Sequence, residues 1–393
     1  MAQSLTHRRP SLSLAERDRR YRETRNRLRE RGVDCVIVTG SNLFYLSNGL
    51  PGERTGLLPT QELPATVCLN SRHLADLSAQ VVIDAQDWIE DVRAGNDARP
   101  LLDRIAELKL EKGAIGVTPG GISHSFYSQL EAGVPEAKLV DVSDILSDVR
   151  TTKSAEEIAM IDQANRVFDA AVYRVHEVAR PGMLGVEVVR EGIKAMWDAG
   201  GDLSSTFGFN FGPVPKQNPV LCELCLARRI QPGDIGTMTA HAHYGGYGGH
   251  SDHEISFGAP AAMHRDMYEA MLHVRDQVLS AVRPGATQRG LVEVYQRACA
   301  ESGFRSSPHS QIHQYGIDVP EFPGPAFRPT DASARGGAER NFVLAPGMIY
   351  SISPTLVAPN GDDTMLGGTS LVVTEDGFRE LGDRKVELLI AGG

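Results

Sequence analysis

Six ionisable side chains hold the chemistry of this sequence: His241, His243, His250, Asp252 and Glu254 lie close together, and His313 lies farther on. Side chains alternate across a strand, so a strand from Thr237 puts Thr239, His241 and His243 on one face. On its hairpin partner, His250, Asp252 and Glu254 share a face, with the glycine-rich Tyr244–Gly249 stretch as the turn. If both faces meet His313, three readings are open. The first is metal-free acid–base catalysis, with a histidine as proton carrier and a carboxyl group orienting it. The second is a rebuilt mononuclear metal site, because His-x-His followed by Asp and a distant His has suitable ligand types. The third assigns the histidines to turn structure and gives them no chemistry.

Other polar residues are candidates of a second kind. Tyr315 and Arg328 follow His313 and are placed to line the same site, with the planar fork of Arg328 suited to a carboxylate. Arg54 beside Glu53 is either a substrate-binding group or part of a solvated loop. Cys222 and Cys225 form a lone C-x-x-C with no second pair, which argues against a zinc ribbon.

The elements that must carry these residues fall into two sets. Strand-like runs at Cys35–Thr39, Ala65–Leu69, Val81–Ile83 and Ala114–Val117 alternate with helical patterns, notably Ala98 to Glu111, which predicts a small α/β domain. Ser41-Asn42 reads as a turn into Phe44-Tyr45-Leu46. A helical segment from Val142 to Val149 leads out, and Ser154 with Glu157 forms the capping box of the next helix. That second region repeats itself: His176–Gly182 matches Leu279–Gly285, and each Pro-Gly opens an apolar-periodic helix that closes at Gly200 or Gly303. Strand-like stretches follow near Thr206–Phe211 and Ser306–Val319, which predicts two pseudo-twofold halves with a site between their strands. Pro320–Pro325 reads as a rigid lip rather than a catalytic strand.

Composition narrows the function. The 393 residues suffice for two domains and carry a formal net charge of -10, unlike a nucleic-acid binder with a concentrated basic patch. The one dense basic run, Arg17 to Arg31, reads as the solvated face of an amphipathic helix. Met1–Pro10 lacks the apolar stretch of a signal peptide, and no run is long enough to span a bilayer. Five scattered cysteines suggest reduced thiols in a cytoplasmic protein.

Several motifs resemble those of creatinases and Xaa-Pro peptidases. Arg31-Gly32-Val33-Asp34 through Tyr45-Leu46-Ser47-Asn48-Gly49 resembles their opening. Val149-Arg150 through Lys153-Ser154-Ala155-Glu156-Glu157-Ile158 resembles their interdomain junction. Pro346-Gly347-Met348 and Leu371–Gly377 resemble their closing strands. The resemblance implies an α/β N-terminal domain over 1–148 and an α+β pita-bread domain over 149–393. It also implies a homodimer in which one N-terminal domain, with Arg54, reaches the partner's site.

In the metallopeptidase members two aspartates, a histidine and two glutamates hold two metals that activate water. Motif by motif, those positions fall here on Thr239, Asp252, His313, Ser353 and Gly368, and a second histidine is replaced by Pro320. Only Asp252 and His313 are retained. Creatinases need no metal, and Glu254 stands where they place a glutamate, whereas their other glutamate falls on Ser353. Their general-base histidine lies in a region resembling Gln217-Asn218-Pro219.

The expectation is a metal-independent hydrolase or lyase without a cofactor, acting at a C–N bond of a small polar metabolite such as creatine or the cyclic amidine ectoine. His313 or His250 would move the proton, and Asp252 and Glu254 would orient that histidine or bind a cationic nitrogen. His241, His243, Thr239, Tyr315, Ser353, Arg54 and Arg328 would contact substrate. A metallohydrolase with a remodelled site and a non-catalytic binding protein are the alternatives.

Overall fold

The computed structural model describes residues 10–50, 53–70, 86–212, 225–306, 311–326, 342–359, 361 and 363–392. The expected strand at 81–83, the Gln217–Pro219 stretch, Cys222 and Arg328 lie outside them. The chain divides into two compact units, Met1–Arg150 and Thr151–Gly393.

In the first unit, α1 (Leu14–Glu30) is N-capped by Ser13, whose Oγ accepts from the Glu16 amide. Its basic run is not simply a solvated face. Arg20 is wholly buried, donates to the Tyr45 carbonyl at 2.7 Å and lies 4.2 Å over the Tyr45 ring. Arg25 is buried too, bonded to the Pro59 and Leu63 carbonyls. The long stems and planar forks of these arginines satisfy backbone carbonyls that would otherwise be stranded.

The unit continues with β1 (Cys35–Val38), α2 (Gly40–Ser47), β2 (Glu53–Pro59), β3 (Thr66–Leu69), β4 (Asp91–Ala94) and α3 (Arg99–Glu107). It closes with β5 (Ala114–Val117), α4 (His124–Gly133), β6 (Lys138–Asp141) and α5 (Ser143–Thr151). The strands form one sheet in the order β4-β3-β2-β1-β5-β6, in which β2 runs antiparallel to both neighbours and the other pairings are parallel. The turn expected at Ser41 is instead the helix α2, because Leu43, Tyr45, Leu46 and Ser47 all find burial in a helical conformation. Asn48 ends it in the left-handed region at φ 59°.

The second unit opens with α6 (Ala155–Val178), whose Ser154–Glu157 capping box is present, and α7 (Gly185–Asp198). There follow β7 (Thr206–Phe211), β8 (Ile235–Tyr244), β9 (Tyr247–Gly249), β10 (Asp252–Phe257), α8 (Ala262–Ser280) and α9 (Gln288–Glu301). The remaining strands are β11 (Arg305–Ser306), β12 (Gln311–Gln314), β13 (Glu321–Ala326), β14 (Ile349–Ser353), β15 (Thr355–Val357), β16 (Thr364–Leu366), β17 (Thr369–Val373), β18 (Phe378–Glu380) and β19 (Leu389–Ala391).

The internal repeat is a structural one. Between α6 and α7, and again between α8 and α9, the chain turns through a Pro-Gly whose glycine has positive φ, 93° at Gly182 and 83° at Gly285. One helix pair shares a core with Met238, Ile255 and Phe257 of the sheet β19-β10-β8-β7. The other shares a core with Ile312, Tyr350 and Leu371 of the sheet β13-β12-β14-β17-β18. Burial of one face of each sheet leaves the opposite faces to carry polar groups.

The stretch read as a rigid lip falls largely on the strand β13, paired with β12. Among the described residues it lies at a sheet edge, where the prolines at 323 and 325 are tolerated because no further described strand needs their missing N–H groups. Among the described residues no helix is long and apolar enough to cross a membrane.

Candidate functional site

Register decides which groups meet. β10 pairs antiparallel with β8, with Asp252 opposite Thr239 and Glu254 opposite Thr237, and β9 continues along β8 with Gly249 opposite Ala242. Between them His250 packs edge-on to His241, with ring centroids 5.4 Å apart. Its other side faces His313, at 5.3 Å. The three imidazoles form a row built from both halves of the repeat, since β12 supplies His313.

Backbone carbonyls fix two of the rings. His313 Nδ1 lies 3.0 Å from the Gln314 carbonyl and His250 Nδ1 lies 3.3 Å from that of Ala240. A carbonyl only accepts, so each Nδ1 carries the proton and each Nε2 presents its lone pair. Nε2 of His313 is buried and has no hydrogen-bond partner among the described residues. Burial, then the neighbouring His250, pushes the His313 pKa down to about 3, so this imidazole is neutral at ordinary pH. His241 is exposed by area, yet its inner edge is crowded. Desolvation there, then His250 and His243, lower its pKa, with its accessibility set by the exposed edge.

Asp252 is buried beside this row. Ser353 Oγ, from β14, donates to its Oδ2 at 2.9 Å, and Ser351 Oγ lies 3.2 Å from Ser353 Oγ. Gly368 closes the arrangement: a Cβ there would stand 2.8 Å from Asp252 Oδ2 and 2.9 Å from Ser353 Oγ. Thr239, Asp252, His313, Ser353 and Gly368, distant in sequence, therefore belong to one neighbourhood.

Those five positions do not fit a metal pair. Three offer a hydroxyl or nothing in place of a carboxylate, and Ser353 already spends its proton on Asp252. Among the described residues no three His, Cys, Asp or Glu side chains are grouped so as to hold a metal ion.

The remaining candidates separate. Glu254 is wholly buried and takes internal partners: its Oε1 accepts from Thr237 Oγ1 at 2.8 Å and from the Leu366 amide at 2.9 Å. Tyr315 is also wholly buried, with its hydroxyl accepting from Asn165 Nδ2 at 3.1 Å and its ring 6.3 Å from His250. These bonds hold both side chains within the protein. His243 sits at the end of β8, where Asp202 lies near enough to oppose the lowering of its pKa by burial. Arg54 belongs to the first unit, where it lines a cleft of about 480 Å³ with Thr39, Asn96 and Ser123. Cys225 is buried, its thiol 3.6 Å from the Phe211 carbonyl.

Sequence reading missed Ser370 and Asn165. Ser370 Oγ donates to the His250 carbonyl, and Asn165 anchors Tyr315. Neither has a local signal, because their partners stand 120 and 150 residues away.

Comparison with known proteins follows the same division. The profile of metallopeptidase family M24 matches residues 159–377, and that of the creatinase/prolidase N-terminal domain matches residues 20–152. An Xaa-Pro dipeptidase of Pyrococcus horikoshii is 23% identical over 91% of this chain and 95% of its own. A creatinase of a Bacillus species is 24% identical over 95% of this chain and 92% of its own. The solved Xaa-Pro dipeptidase of Bacillus anthracis superposes with a TM-score of 0.80 at 21% identity, covering 95% of this chain and 99% of that one.

Proposed function

Because the chain belongs to the metallopeptidase family M24, carrying a creatinase/prolidase N-terminal domain, we propose that it is a hydrolase of that superfamily that works without a metal on the C–N bond of a small polar metabolite. The observation that carries this reading is the contact of Ser353 with Asp252 over Gly368, which leaves a hydroxyl and a glycine beside the one carboxylate retained among the family's metal positions.

The residues left can perform acid–base hydrolysis. Water adds to the carbon of the C–N bond while a histidine takes its proton, and the same proton is delivered to the departing nitrogen, so the ring ends as it began. His250 and His313 suit this because the carbonyls of Ala240 and Gln314 leave Nε2 of each as the basic atom. Asp252, fixed by Ser353, favours positive charge on the adjacent imidazoles or on a substrate nitrogen. Glu254 acts through the strands it joins and is a positioning residue in this scheme. The reading includes a homodimer in which Arg54 of one copy reaches substrate in the other.

Elemental analysis of the purified protein, followed by a screen of guanidino, amidine and Xaa-Pro substrates with and without chelator, tests it. Turnover of a guanidino or amidine compound indifferent to chelator is expected. Stoichiometric metal together with chelator-sensitive cleavage of Xaa-Pro peptides would overturn it.

A further inference from the structure

Lys153 and Glu321 form an ion pair at 2.8 Å, with side chains only 2% and 5% exposed. Burying two charges is expensive, and a buried pair is weak evidence for stability, so its place in the structure matters more than its strength. Glu321 opens β13 and stands opposite Gln314 in the β12–β13 register. Its second oxygen, Oε1, accepts from the amides of Ile317 (2.8 Å) and Asp318 (3.2 Å). One carboxylate thus holds both the start of the strand and the turn before it. Gly316 packs against the pair so closely that a Cβ there would come within 2.8 Å of Glu321 Oε2 and 2.9 Å of Lys153 Cε.

The pinned segment is the one that sets His313. Between Ile312 and Gln314 the register with β13 shifts, an irregularity of the kind that re-aims a side chain. The Gln314 carbonyl turns back onto His313 Nδ1 at 3.0 Å. On the other side, the Gly248 amide donates to the Gly316 carbonyl at 2.6 Å, tying the same turn to β9, which leads into His250.

We propose that Lys153 and Glu321 are a positioning pair for His313: they anchor the shifted end of β12 so that the Gln314 carbonyl holds the Nδ1 proton and Nε2 stays the basic atom. The catalytic importance of that tautomer rests on the function proposed above, but the tautomer itself does not.

The test is a long-range nitrogen–proton correlation spectrum of the full-length protein labelled at histidine ring nitrogens, with His313 assigned by its loss in H313Q. Wild type is expected to show His313 as a single Nδ1–H tautomer. The double variant K153M/E321L removes both charges at similar volume, leaving no orphan ion, and is expected to fold yet lose that single tautomer to exchange between the two forms. K153R, which keeps the ion pair, is expected to retain the wild-type pattern. If K153M/E321L does not fold, E321D, which withdraws the carboxylate by one methylene, is read in the same way. A single Nδ1–H tautomer surviving in the folded double variant, or in E321D where that replaces it, would overturn the proposal. A changed tautomer with unchanged turnover would instead overturn the role given to His313.

Discussion

Ser353 Oγ donates a 2.9 Å hydrogen bond to Asp252 Oδ2 and thereby joins β14 of one half of the repeat to β10 of the other. A buried acceptor deprived of its donor loses roughly 1–3 kcal/mol. Ser353→Ala is expected to lower stability by that order in urea unfolding, with an unchanged denaturant slope. A loss within error would show that Asp252 does not depend on this hydroxyl.

Gly368→Ala tests the closeness of the same contact. The added methyl would stand 2.7 Å from the Asp252 amide nitrogen as well as against the two oxygens, and none of these neighbours is the loose end of a long side chain. Overpacking of this kind costs about 1–3 kcal/mol. The melting temperature should fall, and turnover with it. Wild-type values for both would mean the strands part easily.

The sequence announced part of this site and was silent on the rest. Alternation within β8 and β10 places Thr239 opposite Asp252 because both strands are long and one face of their sheet is buried, which fixes register. The same rule could not show what Glu254 bonds to. Sharing a face with Asp252 brings it to the same side of the sheet, but Leu366 of β16 covers it there, and no local pattern encodes that contact across 112 residues. The Pro-Gly repeat was legible since glycine at positive φ leaves a mark in the sequence. Helix α2 was not, because its eight residues show too little periodicity to distinguish it from a turn.

The row of imidazoles gives a direct mutational test. His313→Gln and His250→Gln are each expected to lower kcat by about 10²- to 10⁴-fold, the usual contribution of a positioned acid or base. Circular dichroism should remain that of wild type. Full activity in both variants on the substrate found by screening would remove these residues from the mechanism.

His253 supplies a pH test independent of any substrate. It lies on the opposite face of β10 from Asp252, buried 5.6 Å from the Phe168 ring, and burial, then Arg384 and Arg275, push its pKa down to about 3. In the unfolded chain the ring titrates near 6.5. Between those values the unfolded state binds the extra proton, so stability rises with pH, is fully present above about 6.5 and is lost as pH falls toward 3. His253→Leu should reduce the slope of unfolding free energy against pH in that window by up to one proton, about 1.4 kcal/mol per pH unit. His313 and His241 keep their own share. Urea titrations at stepped pH read the difference, and parallel curves would contradict the assignment.

Extensive dialysis against a chelator is expected to leave the melting temperature unchanged, since the positions beside Asp252 hold the Ser353 hydroxyl and Gly368 in place of further carboxylates. A fall of several degrees, reversed by one added divalent metal, would contradict the site as drawn.

The edge strand β13 has a consequence for the protein in company. An open sheet edge is a template on which another chain can lay a strand, and two of the six residues from Glu321 to Ala326 are prolines with no N–H to offer. The strand that carries Glu321 is thus poorly suited to recruit a neighbour's backbone, which disfavours runaway growth of the sheet in crowded solution.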